Sequence, residues 1–425
     1  MAPDKMAPPA SSAPSTSTMV PDDEFKDKEK GSPIPDAECL ASSSDPDDVP
    51  LDREPEDHRD YPDGGYGWVI VICGFLLNFS TWGVNTAFGI YLAYDLENPR
   101  FKGARDIDFA FIGSLSLSLA LAVAPFSNFL ARTYHWRIPL MTGSWFGLKR
   151  AFAVGIVSAG SGGGALFFSN ITRLTLSHLD RRWACVINGC ISAAGLIPAI
   201  LFFKTRSTKL KVRFEPFQIS FFKNPGFICM CFWGGFILFA YAIGIYTIPL
   251  YAVQGLGMTQ KDGSTLQSLL AVGQIVGRPL SGYFLDKVGR FNGAIVTTLI
   301  ASISCLAVWL VAQNFHVLAF AAFLQGASSG VFWSTCQALL TDLVGIRDMA
   351  SALSVLWFSI VAPGIVSQPI AIWLTNYSRD TLHRTGTAAF QYGIVFAGVA
   401  FFASSVSLYG TKRYIQGDWK VFKRC

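Results

Sequence analysis

The 425-residue chain is 51% hydrophobic and only 15% charged, with 35 Phe, 11 Trp and a net charge of +5. A soluble domain carries about 25% charged residues. A soluble enzyme, a disulfide scaffold and a disordered chain are all poor fits, and a mean hydropathy of +0.38 points to a polytopic membrane protein.

In chain order, the charge is uneven. Residues 1–62 hold 16 of the 29 acidic side chains and 6 of the 34 basic ones, a net −10 against +15 for the rest. This Pro- and Ser-rich stretch has too few apolar residues to offset chain entropy and is expected to be a disordered, acidic, cytosolic tail. No apolar signal segment precedes Trp68. Beyond it, ten apolar stretches reach the roughly 20 residues a bilayer requires. They are 67–93, 108–130, 151–172, 183–203, 225–253, 264–285, 291–312, 315–340, 348–375 and 386–409. The expected class is an all-α bundle of about ten spans, arranged four plus six. The expected parts are a tail (1–62), a first membrane half (63–203), a basic cytosolic loop (204–224), a second half (225–410) and a C-terminal tail (411–425).

Lys and Arg placement sets the orientation. With a cytosolic N-terminus, inner segments hold 18 basic residues and outer ones nine, which places both termini in the cytosol. The basic residues flank apolar segments, so nucleic acid is not an expected partner; the lipid bilayer is. The nine Cys follow no metal or disulfide spacing, and neither metal nor cofactor is expected.

An ionisable residue inside a span is a functional candidate by default. Arg278 is the clear case. Its guanidinium offers a two-pronged fork to a carboxylate; the competing reading is an Arg that snorkels to the inner side or bonds a carbonyl. All five His fall in the tail or the loops, and no Asp or Glu lies mid-span. The stretch Gly282-Tyr-Phe-Leu-Asp286-Lys-Val-Gly289-Arg290 joins two spans on the inner side. Gly289 makes a tight turn, and Asp286 and Arg290 sit at the bilayer edge. Asp286 is positioned to bond a basic group or a helix N-terminus in one conformation only, which makes these three candidate gating residues.

That stretch matches the Gly-x-x-x-Asp-x-x-Gly-Arg loop of the major facilitator superfamily. Asp63-Gly64-Gly65-Tyr66-Gly67-Trp68 resembles the Asp-Gly-Gly-x-Gly-Trp signature of monocarboxylate transporters. Asn78 to Gly89 is similar to the fungal branch of that family, and Trp145–Gly155, Ala159–Gly164, Gly277-Arg278-Pro279 and Thr341–Gly345 also fit in family order. The resemblance implies a permease that moves a small organic anion by alternating access, with Arg278 as the carboxylate anchor. Gln274 stands where animal relatives have a proton-carrying Asp, so an Asp relay is not expected and the coupling ion is left open. Asn85 lies near a Lys position of the animal family. Trp333 and Gln337, one helical turn apart, join Asn85 as further lining candidates, although ordinary packing is the commoner role for a Trp in a span. The glycines 160–164 are expected to serve close helix packing.

Relatives in this family have twelve spans. Here Pro139–Gly143 resembles the start of a third span and Ser144–Phe146 the loop before a fifth, so about two spans are expected to be missing at Gly143–Ser144. A skipped exon or a misdrawn gene accounts for that; a shortened natural isoform is the alternative. A riboflavin-like metabolite is the alternative substrate, and a non-transporting sensor or defective isoform the alternative role. A membrane enzyme fits least, because no His/Asp/Glu cluster stands in the spans.

Overall fold

The computed structural model describes residues 65–86, 88, 90–91, 106–123, 125–126, 150–202 and 218–417. The acidic tail, Asp63, Gly64, most of the basic loop and the Gly143–Ser144 junction lie outside these residues. Every described element is helical. They are α1 (Gly67–Thr86), α2 (Asp106–Ala122), α3 (Arg150–His178), α4 (Arg181–Phe202), α5 (Pro225–Leu250), α6 (Gln260–Val288), α7 (Arg290–Ile303), α8 (Phe315–Ser329), α9 (Val331–Ser359), α10 (Val361–Asp380) and α11 (Gln391–Gln416).

Eight described stretches are long and apolar enough to cross a bilayer. The other two expected spans are present as helices. Residues 108–130 give the short α2, and 264–285 give α6, whose Arg278 and charged ends lower its hydropathy. Apart from 264–285, which lies within α6, the last six spans do not coincide with single α-helices. Gly345 breaks α9 at φ +81°, so one span runs through α8 and the start of α9 and the next through its remainder and α10. His178 and His316 lie on helix ends rather than in loops, the first closing α3 and the second in the opening turn of α8. The last helix extends seven residues beyond 409, because Thr411 and Lys412 are buried, with the Lys412 Nζ 2.6 Å from Asn292 Oδ1.

Side chains define several ends. The Asn224 carbonyl oxygen accepts from Gly226 and Phe227 N–H at 2.9 and 3.3 Å, and Pro225 follows at a position that needs no N–H donor. Thr259 and Asp262 form a reciprocal capping box at the start of α6. Gly65, at φ +62°, turns the chain into α1; Gly67 and Trp68 open that helix, and the Trp68 ring meets Phe152 edge-on at 6.5 Å. Gly289, at φ +104°, is the whole connection between α6 and α7. A side chain there would be strained, so the expected tight turn is confirmed.

Close backbone contact holds the halves together and packs each internally. A Cβ at Gly160 would collide with the Phe75 carbonyl, and one at Gly164 with the Phe79 carbonyl. The glycine run therefore lets α3 lie directly on α1, as expected for small residues between membrane helices. α3 also packs against α6, and α2 against α10, and these two contacts join the first half to the second.

The described helices are unequally buried. α11 packs on α5, α7 and α10, and 50% of its apolar stretch is buried. α4 packs mainly on α1, with lesser contact to α3, and only 11% of its stretch is buried. Trp183, Ile197, Ile200, Leu201 and Phe202 are left exposed along it.

Candidate functional site

Arg278 lies ten residues before the end of α6 and is 3% exposed. Its position depends on two glycines. A Cβ on Gly155 of α3 would stand 2.6 Å from the Arg278 carbonyl oxygen, and one on Gly330 would stand 2.7 Å from Arg278 Nε. The first lets α3 approach; the second leaves room for the guanidinium between α8 and α9.

The fork donates in four directions. Nη1 donates to the Ser158 carbonyl at 2.5 Å and to the Ser161 hydroxyl; Nη2 donates to Tyr241 Oη at 3.1 Å and Gln274 Oε1 at 3.0 Å. Nε is buried without a partner among the described residues. Each of these four acceptors is neutral. A buried cation has thus been given hydrogen bonds but no counter-charge among the described residues, and burying a charge that way is costly. The arrangement also spans the halves, because Ser158 and Ser161 belong to α3, whereas Tyr241 and Gln274 belong to α5 and α6.

Tyr241 connects the guanidinium to an aromatic group. Its ring lies 6.0 Å from Trp333, which is 5.6 Å from Trp82, 5.4 Å from Phe332 and 5.5 Å from Trp357 in a near-parallel stack. Trp82 is on α1; the other rings belong to the second half.

The structure therefore joins Arg278 and Gln274 directly, and joins Trp333 to them through Tyr241. Asn85 is not part of this group: its amide donates to Ser116 Oγ at 3.0 Å, toward α2. Gln337 is half-buried one turn beyond Trp333, with no hydrogen bond to Arg278 among the described residues. Tyr241, Ser158, Ser161 and Trp82 were not singled out by sequence. A phenol inside a nearly continuous apolar stretch was the available signal for Tyr241, since a buried O–H requires a partner.

The gating candidates occupy one end of the bundle. Asp286 accepts from the Ala151 and Phe152 N–H groups at 3.3 and 3.0 Å. Its carboxylate caps the exposed N–H groups and positive dipole end of α3. Arg290, just after the Gly289 turn, bonds Asp342 at 2.7 Å, linking α7 to α9.

A bundle of long apolar helices with a buried Arg inside it is the architecture of a membrane transporter. The chain belongs to the Major Facilitator Superfamily, whose sequence model matches residues 138–303 and 262–418. It is an integral, multi-pass membrane protein. Among its relatives is the Probable transporter MCH2 of Saccharomyces cerevisiae, 28% identical over 396 aligned positions that cover 81% of this chain and 82% of that protein. Monocarboxylate transporter 12 of Xenopus laevis is 22% identical over 425 positions, covering 80% of this chain and 89% of that one. The proton:xylose symporter XylE, solved with 6-bromo-6-deoxy-D-glucose, has a similar fold at a TM-score of 0.52 and 13% identity, covering 81% and 95% of the two chains. The resemblance to fungal monocarboxylate-transporter-like proteins is thus matched by curated relatives.

The alignment with the yeast protein carries a surplus. Since 81% of 425 residues is about 344, about 50 of its 396 positions have no residue here. That length is comparable to two spans of about 20 residues with their connections.

Proposed function

We propose that this transporter carries a small organic anion, a monocarboxylate in the simplest case, across the bilayer by alternating access. The observation that supports it is Arg278, a guanidinium 3% exposed, whose four described acceptors are neutral. A substrate carboxylate supplies the missing counter-charge and accepts the fork in two parallel bonds. To do so it displaces an α3 acceptor, Ser158 or Ser161, from Nη1 and either Tyr241 or Gln274 from Nη2. Substrate thereby loosens one tie between the halves and alters their relative stability. Only such differential contact shifts a conformational equilibrium.

The Asp286 cap on α3 is the opposing tie. It holds one end of the bundle closed and must break when that end opens. Gln274, one turn from Arg278, does not exchange a proton in the physiological range. Transport is then either facilitative, each anion carrying its charge with it, or coupled through a group other than Gln274. The host membrane is read as the plasma membrane, with a vacuolar or other internal membrane as the alternative; the excess of basic residues on the inner segments supports cytosolic termini. Its halves are bounded near 63–203 and 225–410, joined by the basic loop 204–224.

The test is counterflow in proteoliposomes that hold the purified 425-residue chain. A labelled monocarboxylate should accumulate transiently against unlabelled internal substrate, well above protein-free liposomes. Equal rates with and without the protein, across a panel of carboxylates, would refute carriage of this class.

A further inference from the structure

We infer that the Arg278 site selects an aromatic carboxylate, an acid attached to a planar ring, over a small aliphatic acid. The inference rests on the anion reading above and adds the body of the substrate to its charged end.

Trp333 is the centre of the argument. Its ring touches Trp82, Tyr241, Phe332 and Trp357, all at centroid distances of 5.4–6.0 Å. Such distances are those of favourable ring–ring contact. The Trp82 contact is the one that crosses between the halves. When the halves part, ring faces on either side lose each other as partners, and a planar ligand is the species that replaces both. Tyr241 joins this group to the charge, since its Oη accepts from Arg278 Nη2 at 3.1 Å. Ring surface and anion anchor are therefore one side chain apart.

A second observation points the same way. The Trp333 indole N–H is buried and has no acceptor among the described residues. Trp233 and Trp309 share that feature, but their recorded ring contacts stay within the second half, with Phe332 and with Tyr251. Trp333 combines an unpaired donor with contact to the opposite half and proximity to the guanidinium. A bound acid brings the acceptor oxygens that donor lacks.

Aromatic groups of this kind also attract cations. Here the neighbouring charge is positive, and among the described residues its acceptors are neutral, so a cation would be repelled. Ring faces beside an uncompensated guanidinium suit a species with a π-surface at one end and a carboxylate at the other.

The experiment is equilibrium binding to the full chain in lipid nanodiscs, with labelled indole-3-acetate, pyruvate and the neutral indole-3-acetamide. Indole-3-acetate should bind at least tenfold tighter than either of the others. Trp333→Leu should remove the preference over pyruvate and Trp333→Phe should restore most of it; Arg278→Gln should remove the preference over the amide. Thermal unfolding of each variant checks that it is folded, and the two wild-type ratios stand without any variant. Pyruvate binding as tightly as indole-3-acetate overturns the aromatic inference and leaves the anion reading intact. The amide binding as tightly as the acid overturns both, as does the failure of all three to bind.

Discussion

Replacing Asp286 with Asn tests the latch that closes one end of the bundle. The carboxylate accepts two N–H bonds, 3.3 Å from Ala151 and 3.0 Å from Phe152, in the first turn of α3. Asp286 is on α6 and both donors are on α3, so these bonds tie the two helices together at that end. A bond to a charged group contributes about 1.5–3 kcal/mol and a neutral one about 0.5–1.5, while a negative charge at a helix N-terminus adds about 0.3–1 kcal/mol. Asn keeps one acceptor oxygen but loses the charge, and its NH2 group points donors at donors. The closed arrangement should therefore lose about 2 kcal/mol, a change of about 30-fold in the equilibrium. Spin labels at Leu201, at the end of α4, and at Phe284, two residues before Asp286 on α6, both exposed, report the change as a distance distribution, once accessible native cysteines are replaced. The variant should move population from the short distance to a longer one. An unchanged distribution in a folded Asp286→Asn protein would show that the cap does not hold the halves together.

Other substitutions probe other contacts. Gly160→Ala drives a methyl group into the Phe75 backbone carbonyl. Neither helix has a flexible side chain there to yield, so the protein should lose about 1–3 kcal/mol, seen as a lower Tm in detergent; an unchanged Tm would contradict the close α1–α3 contact. Gln274→Asp places an acid one turn from Arg278, on the side chain whose Oε1 now accepts from it at 3.0 Å. The guanidinium stabilises the ionised form of that acid, so it competes with substrate at neutral pH and releases Arg278 as it protonates on acidification. Anion binding should then rise toward acidic pH in the variant and stay flat in the parent; parallel profiles would remove Gln274 from the site. Transport without a proton should also respond to voltage. Moving one charge through 100 mV involves about 2.3 kcal/mol, so an inside-positive potential should accelerate anion uptake, and voltage-independent uptake would indicate a compensating ion.

The parts legible in the sequence were those carried by local signals. The spans follow from apolar runs, and Arg278 stands out because a charge interrupts one of them. The Asp286–Gly289–Arg290 turn follows from its spacing, with Gly289 at φ +104° as that spacing requires. The constellation around Arg278 was not legible, because it is assembled across long separations. Ser158 is 120 residues from Arg278 and Tyr241 is 37. Asn85 shows a second limit. Membership of α1 did not determine which way it faces; its amide is directed to Ser116, while Trp82, one turn earlier, meets Trp333. Helix rotation of that kind is set by close contacts such as Gly83 against Gly164, which periodicity in so uniformly apolar a helix does not reveal. The break in motif order at Gly143–Ser144 falls outside the described residues.

The central claim is that Arg278 binds the substrate's carboxylate. Its most direct test compares binding of a labelled carboxylate with binding of its neutral amide, in the parent chain and in Arg278→Gln and Arg278→Lys. The parent should prefer the acid; Lys, which keeps the charge but not the planar fork, should retain part of that preference; Gln should abolish it. An Arg278→Gln protein that is folded and still prefers the acid would contradict the claim.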